Sequence, residues 1–326
     1  MLRELFRGLA GALVAALTVC APPAVAQSTY PDRPIRLIVP YATGGSTTNV
    51  ARLIGQKLTD AWGQPVLIDN RPGANTMIGT ELVAKAAPDG YTLLLGVSSH
   101  VLIPLLVPSP YDAIKDFAPV ASVGSTETIL VVYPGLPAST LKELIDLAKS
   151  KPGSVKYATG GAGSATHLAS ELFNNVAGVD TRHIPYKGAA PAMVDLAGGH
   201  VEMSFAIPGS AMALIKSGKL RALAVTGDKR LDALPEVPTF AQAGLPGFEM
   251  KQWYGVLAPA NTPRDIVDKL STALARIASA DEFKQSLSQL GMDSFIITGE
   301  QLGRQMRSES QLYSKIIKDA GIKVDP

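Results

Sequence analysis

The sequence predicts an α/β protein of two similar lobes, and three observations carry that prediction. Short apolar runs of strand type alternate with amphipathic helical patterns along almost the whole chain, as βαβ units require. A strand feeding a Gly-Gly loop and then a helix occurs near residue 44 and again near residue 160. The length of 326 residues is about twice that of a ~150-residue domain.

The chain opens with an export signal. Arg3 and Arg7 precede an apolar run over residues 8–19, and residues 20–26 end in Ala24-Val25-Ala26. A basic start, an apolar stretch too short for a ~20-residue membrane span and a small-x-small site read as a signal peptide cleaved after Ala26. An uncleaved anchor is the competing reading. Leu17-Thr18-Val19-Cys20 has the outline of a lipobox, but bulky Val19 stands where such sites take a small residue. Cleavage after Ala26 removes Cys20, the single cysteine, so no internal disulfide is expected and the mature chain is placed in the periplasm. No later apolar run is long enough for a transmembrane helix.

Residues 35–39 read as a strand, residues 40–48 as a loop, and Val50, Leu53, Ile54, Leu58 and Ala61 as the apolar face of a helix. Residues 66–68 and 93–95 are buried-strand candidates, separated by turns at Pro72-Gly73 and Asp89-Gly90. The pattern restarts with a strand over 129–132 and a capping box, Thr140 to Glu143, that opens a helix toward Lys149. A strand over 155–158 enters a glycine-rich loop and a helix over 165–177 with Leu168, Leu172, Phe173 and Val176 on one face. Strands over 203–205, 222–225 and 254–257 follow. Thr262-Pro263 reads as a cap with proline at the first helical position, and Thr298 to Gln301 as the capping box of the last helix.

Composition excludes several classes. With 46% hydrophobic and 18% charged residues, the chain has the opposite of a disordered composition. Lys plus Arg number 30 and Asp plus Glu 28, a net charge of +2 without a basic segment, and aromatic residues make up 6%; nucleic acid is not an expected partner. His100, His167, His183 and His200 are too scattered to specify a metal site, and no cofactor motif is present. Neither a Gly-x-Ser-x-Gly elbow nor His-Glu-x-x-His occurs, and Ser98-Ser99-His100 lacks an orienting acid, so nothing demands catalysis.

Three segments carry binding chemistry. Tyr41, Thr43, Gly44, Gly45, Ser46, Thr47 and Thr48 surround a strand-to-helix turn whose backbone N–H groups, hydroxyls and helix start suit a carboxylate- or phosphate-sized anion without a cationic side chain. It lacks the Lys-Ser/Thr of a P-loop, and a plain capped turn is its other reading. Gly160, Gly161, Gly163, Ser164, Thr166 and His167 repeat the logic, with Ser164 as helix cap. The third glycine of a dinucleotide fingerprint is missing, because Thr166 stands there. In the third segment His183, Tyr186, Lys187 and Gly188 place a histidine, a phenol and an ammonium in one turn, either closing over an acidic ligand or forming a simple polar turn.

In order and spacing the chain resembles the Bug-type periplasmic solute receptors of tripartite tricarboxylate transporters. The resemblance runs from about Tyr30 to Gly321 and is carried by Tyr30-Pro31-Asp32-Arg33-Pro34-Ile35, Gly44-Gly45, Asn70-Arg71-Pro72-Gly73-Ala74, Ala87-Pro88-Asp89-Gly90-Tyr91-Thr92-Leu93, Tyr111-Asp112-Ala113-Ile114-Lys115-Asp116-Phe117, His183-Ile184-Pro185-Tyr186-Lys187-Gly188 and Gly218-Lys219-Leu220-Arg221-Ala222-Leu223. It implies a Venus-flytrap fold of two lobes, each a mostly parallel sheet flanked by helices, with a double crossover: lobe 1 at 27–128 and 249–326, lobe 2 at 129–248. The ligand carboxylate would sit between the two glycine-rich loops, with Ser98, Ser99, Phe205 and Ala206 shaping the rest of the pocket. The family usually reads Ala-Pro-Gly-Gly with an aspartate three positions later. Here Thr43 replaces the proline and Thr48 the aspartate, which disfavours ligand amino groups and favours a plain or aromatic carboxylate.

The leading expectation is therefore a monomeric periplasmic receptor that captures a small di-, tri- or aromatic carboxylate and hands it, chemically unchanged, to integral membrane transporter subunits. The alternatives are a sensor presenting its closed form to a membrane signalling protein, or a hydrolase or isomerase using His167 or His183 as base.

Overall fold

A computed structural model describes residues 30–44, 46–161, 164–186, 188–246, 248, 250–319 and 321; the expected signal peptide and its cleavage site lie outside these residues. The body of the fold runs from Arg33 onward. Its first part follows the order β1 (Ile35–Val39), α1 (Ser46–Trp62), β2 (Val66–Asn70), α2 (Met77–Ala84), β3 (Thr92–Val97), α3 (Ser99–Leu106) and β4 (Phe117–Glu127). The middle part comprises β5 (Ile129–Val132), α4 (Leu141–Ser150), β6 (Lys156–Thr159), α5 (Ala165–Ala177), β7 (Arg182–Pro185), α6 (Ala189–Ala197), β8 (Met203–Ala206), α7 (Pro208–Lys216) and β9 (Arg221–Val225). The last part is β10 (Lys251–Pro259), α8 (Arg264–Ser279), α9 (Asp281–Gln289) and α10 (Gly299–Asp319).

These strands form two five-stranded sheets, β2-β1-β3-β10-β4 and β7-β6-β8-β5-β9, flanked by helices in a two-lobed α/β fold. The sheets share one plan. Each has four strands running one way and a single reversed strand, β10 between β3 and β4 in the first sheet and β5 between β8 and β9 in the second. Both sheets are thus mixed with one direction prevailing, in line with the mostly parallel sheets expected. The reversed strands are those that arrive at the crossovers: β4 leaves the first sheet for β5 in the second, and β9 leaves the second for β10 in the first. A strand arriving from the other sheet has no helical crossover to set its direction, so antiparallel pairing is open to it.

The two crossing segments are stitched side by side. Thr128 N donates to Thr226 Oγ1 at 2.9 Å, and Thr226 Oγ1 donates to the Met250 carbonyl at 2.6 Å.

Local structure follows the side chains with instructive exceptions. In α1, Val50, Ile54 and Leu58 are buried as their spacing requires, and Gly55 lets the helix sit against Ile68, which an added Cβ would meet at 2.9 Å. The helix starts at Ser46, three residues earlier than a loop ending at Thr48 would allow. Residues 66–68 belong to an edge strand rather than a buried one, and Leu67 is 52% exposed. Thr262 does not cap α8: Pro263 is the N-cap residue, and the Thr262 hydroxyl donates to the Pro259 carbonyl.

At α4, Thr140 Oγ1 accepts from Glu143 N, while the Glu143 carboxylate reaches Ser139 N and Oγ. At α10 the box is reciprocal, Gln301 N to Thr298 Oγ1 at 3.3 Å and Thr298 N to Gln301 Oε1 at 2.9 Å. Thr298→Ala is expected to cost about 1 kcal/mol, read as a lower denaturant midpoint with an unchanged slope.

Candidate functional site

A cleft of about 660 Å³ opens where loops from both sheets converge. It lies outside the carboxyl ends of β1, β2, β3 and β6, the end of an open α/β sheet where backbone N–H groups and helix starts collect. Tyr41, Ser46, Thr47 and Ser99 line it from the first sheet, and Gly160, Gly161, Ser164 and Ala165 from the second.

The first wall is held by a polar network. The Tyr41 and Ser99 hydroxyls are 2.8 Å apart, and those of Ser46 and Tyr254 are 3.1 Å apart. Gln252, itself on the cleft, donates to Tyr254 Oη at 2.9 Å. Behind the wall, Asn70 Nδ2 donates to the Tyr41 carbonyl at 2.9 Å and to Thr48 Oγ1 at 3.0 Å, so one amide pins both ends of the β1–α1 turn. Burial pushes the Tyr41 phenol up, and it stays neutral.

Beyond β2, Ala74, Asn75 and Thr76 all have positive φ (45°, 51° and 76°), uncommon for residues with a Cβ; Asn75 and Thr76 face the cleft. Backbone strain of this kind collects where a surface must be shaped. α2 then packs closely under the loop: a Cβ on Gly79 would lie 2.7 Å from the Arg71 carbonyl.

The second wall starts from α5. Ser164 is its N-cap, accepting from His167 N at 3.3 Å, and lies 3.0 Å from the Thr166 hydroxyl. Thr166 Oγ1 accepts from Gly160 N at 3.2 Å, so that backbone donor is used within its own lobe. Gly161, with φ +132°, turns the chain in a conformation that L side chains rarely adopt. Gly188 N donates to the Gly160 carbonyl and ties the β7–α6 turn to this loop.

Behind it, the rings of His167 and His183 stack at 3.9 Å, and Tyr157 stacks on His183. Burial, then the neighbouring His167, lowers the pKa of His183 to about 4, and burial lowers that of His167. His183 Nε2 lies 2.7 Å from Thr159 Oγ1, and Tyr157 Oη donates to Glu171. The pair is neutral and supports the loop from behind.

Several residues singled out from the sequence lie elsewhere. Thr48 is fully buried, its hydroxyl donating to the Ala42 carbonyl, so the acid-to-hydroxyl difference at this position acts behind the wall. Thr43 and Gly44 are exposed on the turn, Ser98 is buried beside α3, and Thr166 and His167 sit behind Ser164. The Tyr186 phenol donates to Asp195 and is pushed up to about 12, by burial first and then by that carboxylate. Phe205 and Ala206 are core residues, Phe205 packing on Phe240 and Phe248, because every residue of β8 is buried. Gly45, Gly163 and Lys187 lie outside the described residues. His100 is also internal, with Nε2 on the Ala113 carbonyl and its ring against Phe117.

Among the described residues, no charged side chain lines the cleft and no group of His, Cys, Asp and Glu is arranged to hold a metal ion. Neither α1 nor α5 carries an acid in its first turn. The starts of α1 and α5, together with those of α2 at Thr76 and α3 at Ser99, therefore bring partial positive charge to one uncharged cleft. Such a cleft suits a small anion. Also among the described residues, no helix is long and apolar enough to cross a membrane.

Comparison with known proteins agrees with this geometry. The family model described as tripartite tricarboxylate transporter family receptor matches residues 50–322. Protein BugT of Bordetella pertussis is 38% identical over 317 residues, covering 96% of this chain and 97% of that protein. Rpa4515 of R. palustris, solved with adipate, is 35% identical with a TM-score of 0.77, covering 90% of this chain and 99% of that one. MatC of Rhodopseudomonas palustris, solved with bound malate, is 31% identical with a TM-score of 0.72, covering 88% and 100%. A family match across most of the length, with relatives aligned almost end to end, leaves no room for a shared fragment alone: the chain belongs to the tripartite tricarboxylate transporter receptor family, a family of receptors rather than enzymes.

Proposed function

We propose that the protein is a periplasmic receptor that binds a small organic carboxylate between its lobes and delivers it to a membrane transporter. One observation carries the reading: the starts of α1 and α5, one from each sheet, meet at a single cleft lined by hydroxyls and backbone groups. The carboxylate is held by N–H groups of those helix starts together with Ser46, Thr47, Ser99 and Ser164. Charge-assisted bonds of this kind are about twice as strong as neutral ones. The adipate and malate of the two solved relatives support the ligand class.

Lobe 1 comprises residues 27–128 and 249–326 and lobe 2 residues 129–248, and closure bends the crossing segments around Thr128 and Thr226. The signal peptide is removed after Ala26, and the mature chain acts as a monomer. Transport is separated from sensing by uptake of labelled ligand in cells with and without the receptor.

The direct test is a thermal-shift and calorimetric screen of the mature chain against organic acids. A ligand at 100 times its Kd stabilises by about 2.7 kcal/mol and is expected to raise the melting temperature by several degrees. No shift with any acid would remove the carboxylate reading. Ser164→Ala is expected to weaken binding about tenfold while costing about 1 kcal/mol of stability through the lost cap. Parent-like affinity in that variant would take Ser164 out of the site.

A further inference from the structure

Resting on the bending of the crossing segments proposed above, we infer that Glu127, Lys251 and Asp228 form a proton-operated switch between two arrangements of the sheets. While Glu127 is neutral, Lys251 bridges to Asp228 and holds the arrangement of this structure. Once Glu127 ionises, Lys251 turns to it and the crossing segments shift.

The first argument is that Lys251 has a partner on each side of the crossing. Glu127 and Lys251 are opposed residues of the adjacent strands β4 and β10, so they travel together on the first sheet. Asp228 follows β9, in a segment that packs on the second sheet: Thr239 bridges to Val225, and Phe240 stacks on Phe205. Lys251 Nζ lies 2.8 Å from Asp228 Oδ1 and 3.9 Å from Glu127 Oε1. Unlike charges opposed across a strand pair attract one another, so Lys251 has a second partner within its own sheet.

The second argument is what covers Glu127. Both its carboxylate oxygens are buried without a hydrogen-bond partner, a setting that tolerates the neutral acid far better than the anion. The backbone at Gly227 sits directly on them, and a Cβ there would come within 1.8 Å of Oε1. Gly227 adjoins Thr226, whose hydroxyl ties Thr128 to Met250. Uncovering the carboxylate therefore moves the crossing segments themselves, not one side chain.

The other charged neighbours are already engaged. Lys229 lies 3.8 Å from Asp293, a contact between the segment after β9 and the segment before α10 that loosens in the same movement. Arg230 is bonded to Gln242 and to the Pro235 carbonyl, and Asp232 lines the small cavity beside Glu127. Glu309 of α10 accepts from Trp253 and Gln305 within the first sheet's own lobe. Burial holds the Glu127 carboxyl up to about 7, so the switch works near neutrality.

The test is the distance between paired spin labels on the mature chain, which carries no cysteine of its own once Cys20 is removed. Asp60→Cys on α1 and Lys149→Cys on α4 put one label at an exposed site of each lobe. From pH 5 to 7 the population of a second distance, relative to the one dominant at pH 5, is expected to rise about tenfold or more and to level off above about 7. Raising the pH favours the arrangement in which Glu127 gives up its proton more easily, which sets that sign. Glu127→Gln is expected to keep the pH 5 distance throughout. Asp228→Asn is expected to raise the share of the second distance at each pH by freeing Lys251, with melting curves checking that both variants fold. A parent distance that does not move with pH would overturn the switch, and so would a movement that survives in Glu127→Gln. Parent-like distances in Asp228→Asn would overturn the exchange of Lys251. The carboxylate reading is decided by the acid screen, which does not depend on Glu127, so the two failures are told apart.

Discussion

Replacing Asn70 by alanine is expected to lower ligand affinity about 30-fold, although Asn70 is not on the cleft. Its amide donates to the Tyr41 carbonyl and the Thr48 hydroxyl, and the substitution leaves both acceptors unpaired in a partly buried setting. Two such losses amount to about 2 kcal/mol. They fall on the turn that aims Ser46, Thr47 and the start of α1, so the loss appears in the organisation of the site more than in global stability. Asn70→Asp should be worse still, because a carboxylate cannot donate to either acceptor and adds a negative charge behind an anion site. The expected order of affinity is parent, then alanine, then aspartate, with melting temperatures differing by only a few degrees between parent and alanine variants. Equal affinity of parent and Asn70→Ala would show that the turn needs no such support.

Asn70 also marks where local reading of the sequence ends. The glycine-rich turns were legible because their chemistry is contiguous: Tyr41, Ser46 and Thr47 lie within seven residues, and Gly160, Gly161 and Ser164 within five. All six line the cleft. Asn70 enters through sheet register, since the parallel pairing of Val39 with Asn70 sets it beside the turn after β1. Gln252 and Tyr254 arrive on β10, whose antiparallel partners β3 and β4 lie more than a hundred residues earlier in the chain. No spacing rule reaches that far. Pro72-Gly73 announced a turn, but not that the left-handed backbone continues past Gly73 through Ala74, Asn75 and Thr76, none of them a glycine.

The fold shows the same division. The βαβ halves of both sheets follow from hydrophobic period and turn residues, which act over short distances. The antiparallel pairings depend on crossing strands finding each other across the molecule. Phe205 shows a related limit: a short apolar strand with both faces covered has no exposed side to reveal which residues a pocket would use, and β8 is such a strand.

The second large expectation concerns Glu127, at the first crossing between the sheets. It is 3% exposed, and neither carboxylate oxygen has a hydrogen-bond partner. Its side chain fills the space that a Cβ on Gly227 would need, coming within 1.8 Å of it. The nearest cation, Lys251 Nζ, stays 3.9 Å away and is engaged with Asp228 at 2.8 Å; Lys229 and Asp293 complete the charged surroundings. Burial dominates and pushes the Glu127 pKa up to about 7. A raised carboxyl pKa means that the unfolded chain ionises first. Below about 4.5 both states are protonated and no stability is lost. Between 4.5 and about 7 the folded state retains a proton that the unfolded state has released, so stability falls as pH rises.

Glu309 is also raised to about 7 by burial, opposed by bonds from Trp253 and Gln305. His100 and His183, lowered to about 4 by burial, act in the opposite direction: between 6.5 and 4 the unfolded state takes up protons that the folded state refuses, so stability falls as pH drops. His167, lowered by burial as well, adds a third contribution of this sign, so the histidines outweigh the two acids and the parent is expected to gain stability modestly as pH rises from about 4.5 to 6.5. Glu127→Gln removes one descending contribution. It should match the parent at pH 4 and exceed it by on the order of 2 kcal/mol at pH 8, a figure reduced from the full shift because solvent at the rim screens the site. Denaturant titrations of parent and variant at half-unit pH intervals check this, and parallel profiles over the whole range would mean that Glu127 ionises as easily in the folded chain as in the unfolded one.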